Sequence, residues 1–109
     1  MPRDAGLPPG TLAMLILRVV RDERMHGYAI AQRIHQLSRE QLSVEEGSLY
    51  PALQKLLLKG WVKADWTISE SGRQVREYRI TAAGRRQLDE ELTEYRRMAR
   101  AIEALLGNA

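Results

Sequence analysis

The side chains of this sequence best suited to chemistry are cations and hydrogen-bonding groups gathered in two short stretches. Arg73, Arg76 and Arg79 fall within seven residues, with Lys63 before them and Arg85 and Arg86 after. From Val62 to Arg86 six basic residues stand against three acidic ones (Asp65, Glu70 and Glu77), a local excess equal to the +3 of the whole 109-residue chain. Guanidinium groups at this density grip phosphate oxygens or enter a minor groove. The competing explanation is a charged edge strand that resists aggregation. The second stretch holds Ser48, Tyr50, Gln54, Lys55 and Lys59. Hydroxyls and amides near a helix N-terminus bond phosphates or base edges; Gln54 has the geometry to pair with adenine, and Ser48 is permissive. An ordinary solvated polar face is an equal alternative for this stretch taken alone. Glu45 and Glu46 oppose phosphate approach unless they serve as caps.

Other chemistries find no residues to carry them. The chain has two histidines, His26 and His35, and no cysteine. Neither a disulfide framework nor a thiolate metal site is available, and the histidines lack a ligand-type companion. Nucleophile elbow, phosphate loop and paired catalytic acids are all absent from the sequence. The expectation is therefore a protein without catalytic residues, cofactor or metal, and not an enzyme. The longest apolar run, Leu12–Val20, is broken by Arg18 and too short to span a bilayer. No basic leader precedes it, so a cytoplasmic location and no membrane partner are expected.

The elements that must position these groups follow from periodicity. Residues 1–10 hold three prolines and two glycines, and read as an irregular arm. Thr11 is placed to cap a first helix, in which Leu12, Leu15, Ile16, Val19 and Val20 recur at helical spacing. A second helix after Gly27 turns Ile30, Ile34 and Leu37 to one face and Gln32, Arg33 and Gln36 elsewhere. Ser43-Val-Glu-Glu46 has the form of a capping box for a third helix that carries Leu49, Leu53, Leu56 and Leu57 inward. Pro51 is awkward there, costing on the order of 3 kcal/mol in a helix interior but little in the first turn. The regular helix is thus expected to start nearer Ser48 than Ser43, or to have a distorted early turn. Beyond Gly60, Val62, Ala64, Trp66 and Ile68 alternate with polar residues as a half-buried strand. Ser69–Gly72 turns, and Tyr78 and Ile80 belong to a second strand. Trp61 and Trp66 are most simply core and hairpin anchors; the alternative has either of them facing a dimer cavity and stacking on a flat ligand.

Thr81 caps a last helix from about Ala82 to Leu106. Leu88, Leu92, Tyr95, Ala99, Ile102 and Leu106 follow a 4, 3, 4, 3, 4 spacing, widened by Met98 and Leu105. This is a heptad seam, longer than a small domain can cover, so a second copy of the chain is the expected partner. Packing against the first helix of the same chain is the competing use of the stripe. The fold expected is mainly α with a small β-hairpin: a winged helix-turn-helix DNA-binding domain over 11–81 and a dimerisation helix over 82–109.

Several strings together resemble the PadR family of transcriptional regulators. They are Leu12–Leu17, His26-Gly-Tyr-Ala-Ile30, Gly47-Ser-Leu-Tyr-Pro-Ala-Leu53 with Leu56 and Gly60-Trp61, and Arg79-Ile-Thr-Ala-Ala-Gly84. The string around Pro51 is the most specific, and it makes the proline part of a motif. The resemblance implies a dimeric repressor acting on double-stranded DNA through a palindromic operator. It implies that Ser48 and Tyr50 face DNA, as do Arg73 and Arg76 of the wing, with Tyr28 near a phosphate. Gln32, Gln54 and Lys55 complete the expected DNA-facing set. Some relatives bind flat aromatic molecules between subunits. The single C-terminal helix resembles the short branch of the family, which argues against a dedicated pocket for a small aromatic effector at the dimer interface. The competing functional class is a winged-helix protein-interaction module that does not bind DNA.

Overall fold

The computed structural model describes Leu7 and residues 10–107; the expected arm over 1–10 lies almost entirely outside the described residues. The chain runs α1 (Thr11–Asp22), β1 (Met25–His26), α2 (Gly27–Leu37), α3 (Glu46–Leu58), β2 (Val62–Ile68), β3 (Gln74–Ile80) and α4 (Ala82–Leu106). It is mainly α with a small antiparallel sheet of order β1-β3-β2. Three helices followed by a strand ribbon make a winged helix-turn-helix, and β2–β3 is the wing.

α1 is the hub. It packs against α2, α3, β3 and α4, and Ile16 and Leu17 are wholly enclosed, with Met14, Val19 and Val20 also buried. A helix apolar around most of its circumference needs neighbours on most sides, and these four elements supply them. Leu12 and Leu15 of the expected stripe are only partly buried against that core. The expected cap is corrected: Gly10, with φ of 85°, occupies the N-cap without a side-chain bond, and Thr11 already lies in the helix.

The connection from α2 to α3 is tied by side chains rather than by a regular turn. Ser38 Oγ donates to the His35 carbonyl at 3.1 Å and accepts from Leu42 N at 3.0 Å. His35 Nδ1 donates to the Leu42 carbonyl at 3.0 Å, while Arg39 and Glu40 take positive φ of 54° and 66°. Ser43 Oγ lies 3.3 Å from His35 Nδ1, so the expected capping box does not form. Glu45 is the N-cap of α3, with no side-chain cap bond. The helix begins at Glu46 and carries Pro51 without interruption. The missing N–H would have bonded the Gly47 carbonyl, and Gly47 is exposed, so water can satisfy the orphaned acceptor. That is why the proline is tolerated beyond the first turn.

The wing is longer than the core beneath it. Pairing runs in register from Val62↔Ile80 to Ile68↔Gln74. Val62 is buried, but Trp66 and Ile68 are 65% and 66% exposed. The alternation expected of a half-buried strand therefore holds only at the base, and Trp66 is not a core anchor. β1 is an addition to the expected hairpin: its two residues pair as Met25↔Tyr78 and His26↔Glu77 on the free edge of β3. Such a short strand shows no alternation from which to predict it.

α4 begins on the expected cap. Thr81 Oγ1 accepts from Gly84 N at 3.0 Å and donates to the Gly60 carbonyl at 2.7 Å. Thr81 N donates to the Trp61 carbonyl at 3.0 Å. Leu88 is wholly buried within its own chain and Leu92 packs against the same core. These first two seam positions are therefore taken up by the chain's own interior. The helix has 25 residues, about 37 Å at 1.5 Å per residue, and its exposed second half projects from the body, in a molecule whose longest extent is 54 Å.

Candidate nucleic-acid interface

Three elements converge on one open groove. It has a volume of about 750 Å³ and is lined by the start of α2, one flank of α3 and the inner face of the wing. Glu46, Tyr50 and Gln54 lie one helical turn apart along α3, and all three line it. Leu49, Leu53 and Leu56 point into the core, which leaves the α3 flank free to face outward. Tyr28 reaches the groove from α2, and Arg73, Arg76, Trp66 and Tyr78 reach it from the wing. Of the expected DNA-facing set, five residues thus share one surface: Tyr28, Tyr50, Gln54, Arg73 and Arg76.

The remaining three lie elsewhere. Ser48 and Lys55 are on the other flank of α3, since 100° per residue turns them well away from Tyr50; Ser48 is half-buried and Lys55 exposed. Gln32 lines a separate recess of about 370 Å³ with Arg24, Arg33, Gln36 and Glu77.

Close packing makes the groove possible at its α2 end. A Cβ on Gly27 would lie 2.8 Å from the Tyr50 hydroxyl and 2.9 Å from its Cε1. Only a glycine at the head of α2 lets the phenol lie flat against that backbone. At the opposite end, the wing tip closes through a tight loop: Ser69 N donates to the Arg73 carbonyl at 2.8 Å, Arg73 N to Ser69 Oγ at 3.2 Å, and Gly72 takes φ of 84°. The loop fixes where Arg73 leaves the hairpin.

Strand alternation divides the wing's cations between two faces. Arg76 shares the groove face with Trp66 and Tyr78; its Cζ lies 5.7 Å and 5.8 Å from their ring centroids. Arg79 is on the opposite face, paired with Asp65 at 3.3 Å. Arg73 and Arg76 have no carboxylate partner among the described residues, so their charge is available to a ligand. Burial pushes the Tyr78 phenol above its ordinary pKa, against a smaller opposing effect of the Arg76 charge. Tyr78 therefore stays neutral at the floor of the groove.

Sequence reasoning missed Trp66, Glu46 and Tyr78 as groove residues. Parity was the available signal for Trp66, since it is an even number of residues from Val62 yet lies beyond the reach of a three-helix core. Trp61 is half-buried with Lys59 Nζ over its ring at 4.8 Å. The seam residues of α4 beyond Leu92 stay open: Tyr95, Met98, Ile102, Leu105 and Leu106 are between 45% and 86% exposed, and Ala99 is half-buried. Among the described residues no cluster of three or more His, Asp or Glu could hold a metal ion, and no helix is long and apolar enough to cross a membrane.

Comparison with known proteins gives these features a setting. The sequence pattern of the family described as "Transcriptional regulator PadR-like family" matches residues 16–90. A transcriptional regulator of Mycobacterium tuberculosis is 34% identical over 87 residues, which cover 80% of this chain and 78% of that one. A solved transcriptional regulator from Clostridium thermocellum superposes with a TM-score of 0.80 at 24% identity, covering 87% of this chain and 92% of the other. A PadR family transcriptional regulator from Eggerthella lenta superposes with a TM-score of 0.77 at 29% identity, covering 92% and 85%.

Proposed function

The chain belongs to the PadR-like family of transcriptional regulators, and from that premise we propose that it is a homodimeric repressor of a palindromic DNA operator. α3 lies in the major groove and presents Tyr50 and Gln54 to the bases. Arg73 and Arg76 hold the flanking phosphates, and Tyr28 approaches the backbone from α2. The observation that carries this reading is the convergence of those five side chains on one open groove. Unpaired guanidinium groups beside a helix flank rich in hydrogen-bonding side chains suit a surface that is both charged and base-reading.

Ser48 and Lys55 serve the other flank of the same helix, toward the second wall of the major groove. Gln32 is assigned to the adjacent backbone, at a greater distance from the bases. The homodimer is formed by the projecting half of α4, where Tyr95, Ala99, Ile102 and Leu106 meet their counterparts and Met98 and Leu105 widen the contact. A two-fold axis through that seam places two reading helices on half-sites separated by one or more turns of DNA. Location in the cytoplasm goes with that role.

Gel-shift titration against the DNA upstream of the chain's own gene tests the reading. The expected result is a salt-sensitive complex that an unlabelled specific duplex displaces and a scrambled one displaces poorly. Equal displacement by both duplexes, or no complex at low salt, contradicts it.

A further inference from the structure

The wing holds a cation in an unusual setting. The register places Trp66 directly opposite Arg76, and Tyr78 follows two residues along β3 on the same face. Both ring centroids lie within 6 Å of the guanidinium carbon, at 5.7 Å and 5.8 Å, the range in which an aromatic face attracts a cation. The two rings differ in surroundings. Tyr78 is buried in the core, whereas the Trp66 indole is 65% exposed. Nothing in the core requires this large apolar ring; what it touches is the Arg76 guanidinium. Arg76 Nε is buried and has no hydrogen-bond partner. With that donor closed off, the two Nη groups are the ones an outside acceptor can reach. A planar pair of Nη donors fits the two free oxygens of a phosphodiester.

We infer that Trp66 is a positioning residue that holds Arg76 ready for a single backbone phosphate. Tyr78 supplies the fixed wall, Trp66 the movable one, and the long Arg side chain is ordered before DNA arrives instead of on contact. The inference rests on the proposal that this groove binds DNA. It adds a residue with no expected role in that contact.

The test is a double-mutant cycle read by fluorescence anisotropy with a labelled duplex from the region upstream of the chain's own gene. Trp66→Ala should weaken binding about fivefold per half-site. Trp66→Phe, which keeps a ring face, should restore most of the loss; Trp66→Leu, which keeps apolar bulk alone, should not. In an Arg76→Ala background, Trp66→Ala should cost nothing more. A fivefold loss that persists in that background means that Trp66 touches DNA itself and overturns the positioning role. Rescue by Leu as complete as by Phe also overturns it. In the DNA-free protein, the Arg76 Nε proton should exchange slowly and resonate away from its ordinary position, and Trp66→Ala should abolish both properties. An ordinary, fast-exchanging proton in the wild type contradicts the geometry. A wild type that shows the slow, shifted proton but has no affinity for the duplex instead refutes the DNA reading itself.

Discussion

Replacing Gly84 with alanine puts the docking of α4 to a test in which two effects have opposite signs. Gly84 is the third residue of α4 and is buried. A Cβ there would fall inside van der Waals contact of the Trp61 carbonyl oxygen, and 2.9 Å from both the Trp61 carbonyl carbon and Ile80 Cγ1. The oxygen is backbone and cannot swing aside. It also accepts the Thr81 N–H at 3.0 Å, and the neighbouring Gly60 carbonyl is bound by Thr81 Oγ1 at 2.7 Å. Retreat of this strand entry therefore strains the cap. Overpacking of this kind costs about 1–3 kcal/mol, and a disturbed hydrogen bond adds about 1 kcal/mol. Against that, alanine is favoured over glycine in a helix by about 1 kcal/mol. The net expectation is a loss of about 1–3 kcal/mol, each kcal/mol lowering Tm by roughly 4–8 °C in a domain of about this size. Urea unfolding and thermal melts at fixed protein concentration measure it, since the proposed dimerisation would make both concentration-dependent. A variant as stable as the wild type, or more stable, would show that the close approach of α4 to Trp61 does not exist.

Gly27→Ala should behave differently, because the atoms it meets are the far end of the flexible Tyr50 side chain. Stability should change by less than about 1 kcal/mol, while operator affinity falls roughly tenfold as the phenol is displaced; anisotropy and melting curves measure the two separately. Arg79→Ala removes an exposed pair on the face away from the groove, so it should cost about 0–1 kcal/mol and leave operator affinity within about twofold. Arg73→Ala should instead flatten the dependence of log K on log salt by about 0.9 per half-site, read from a salt titration. Leu88→Ala should destabilise the fold by about 2–5 kcal/mol, whereas Ile102→Lys should leave its circular dichroism intact and shift the sedimenting species from dimer to monomer.

The order of helices and strands was legible because burial imposes periodicity, and α4 follows the Thr81 cap that the sequence proposes. Ends governed by single hydrogen bonds were not legible in the same way. Ser43 had a capping pattern, yet its hydroxyl sits beside His35, a residue from another helix. Of the residues expected to face DNA, Tyr50, Gln54, Arg73 and Arg76 are readable from helix face and local charge, and they line one groove. Strand alternation alone sets Arg76 and Arg79 on opposite faces of the wing. What sequence could not supply was their partners, since only strand register sends one toward Trp66 and the other to Asp65. The seam of α4 was read as continuous because heptad spacing does not show where one chain's own core ends. Leu88 is wholly buried there and Leu106 is 75% exposed.

The central claim is that DNA is read in the groove between α3 and the wing. Backbone amide NMR of the full chain, titrated with the operator duplex, tests it most directly. The account predicts that the largest shift changes fall around Tyr28, along Tyr50–Gln54 and from Trp66 to Arg76. It predicts only small changes around Arg79 and in the recess lined by Arg24 and Arg33. Changes concentrated in that recess or along the projecting half of α4, with the wing tip unmoved, would contradict it.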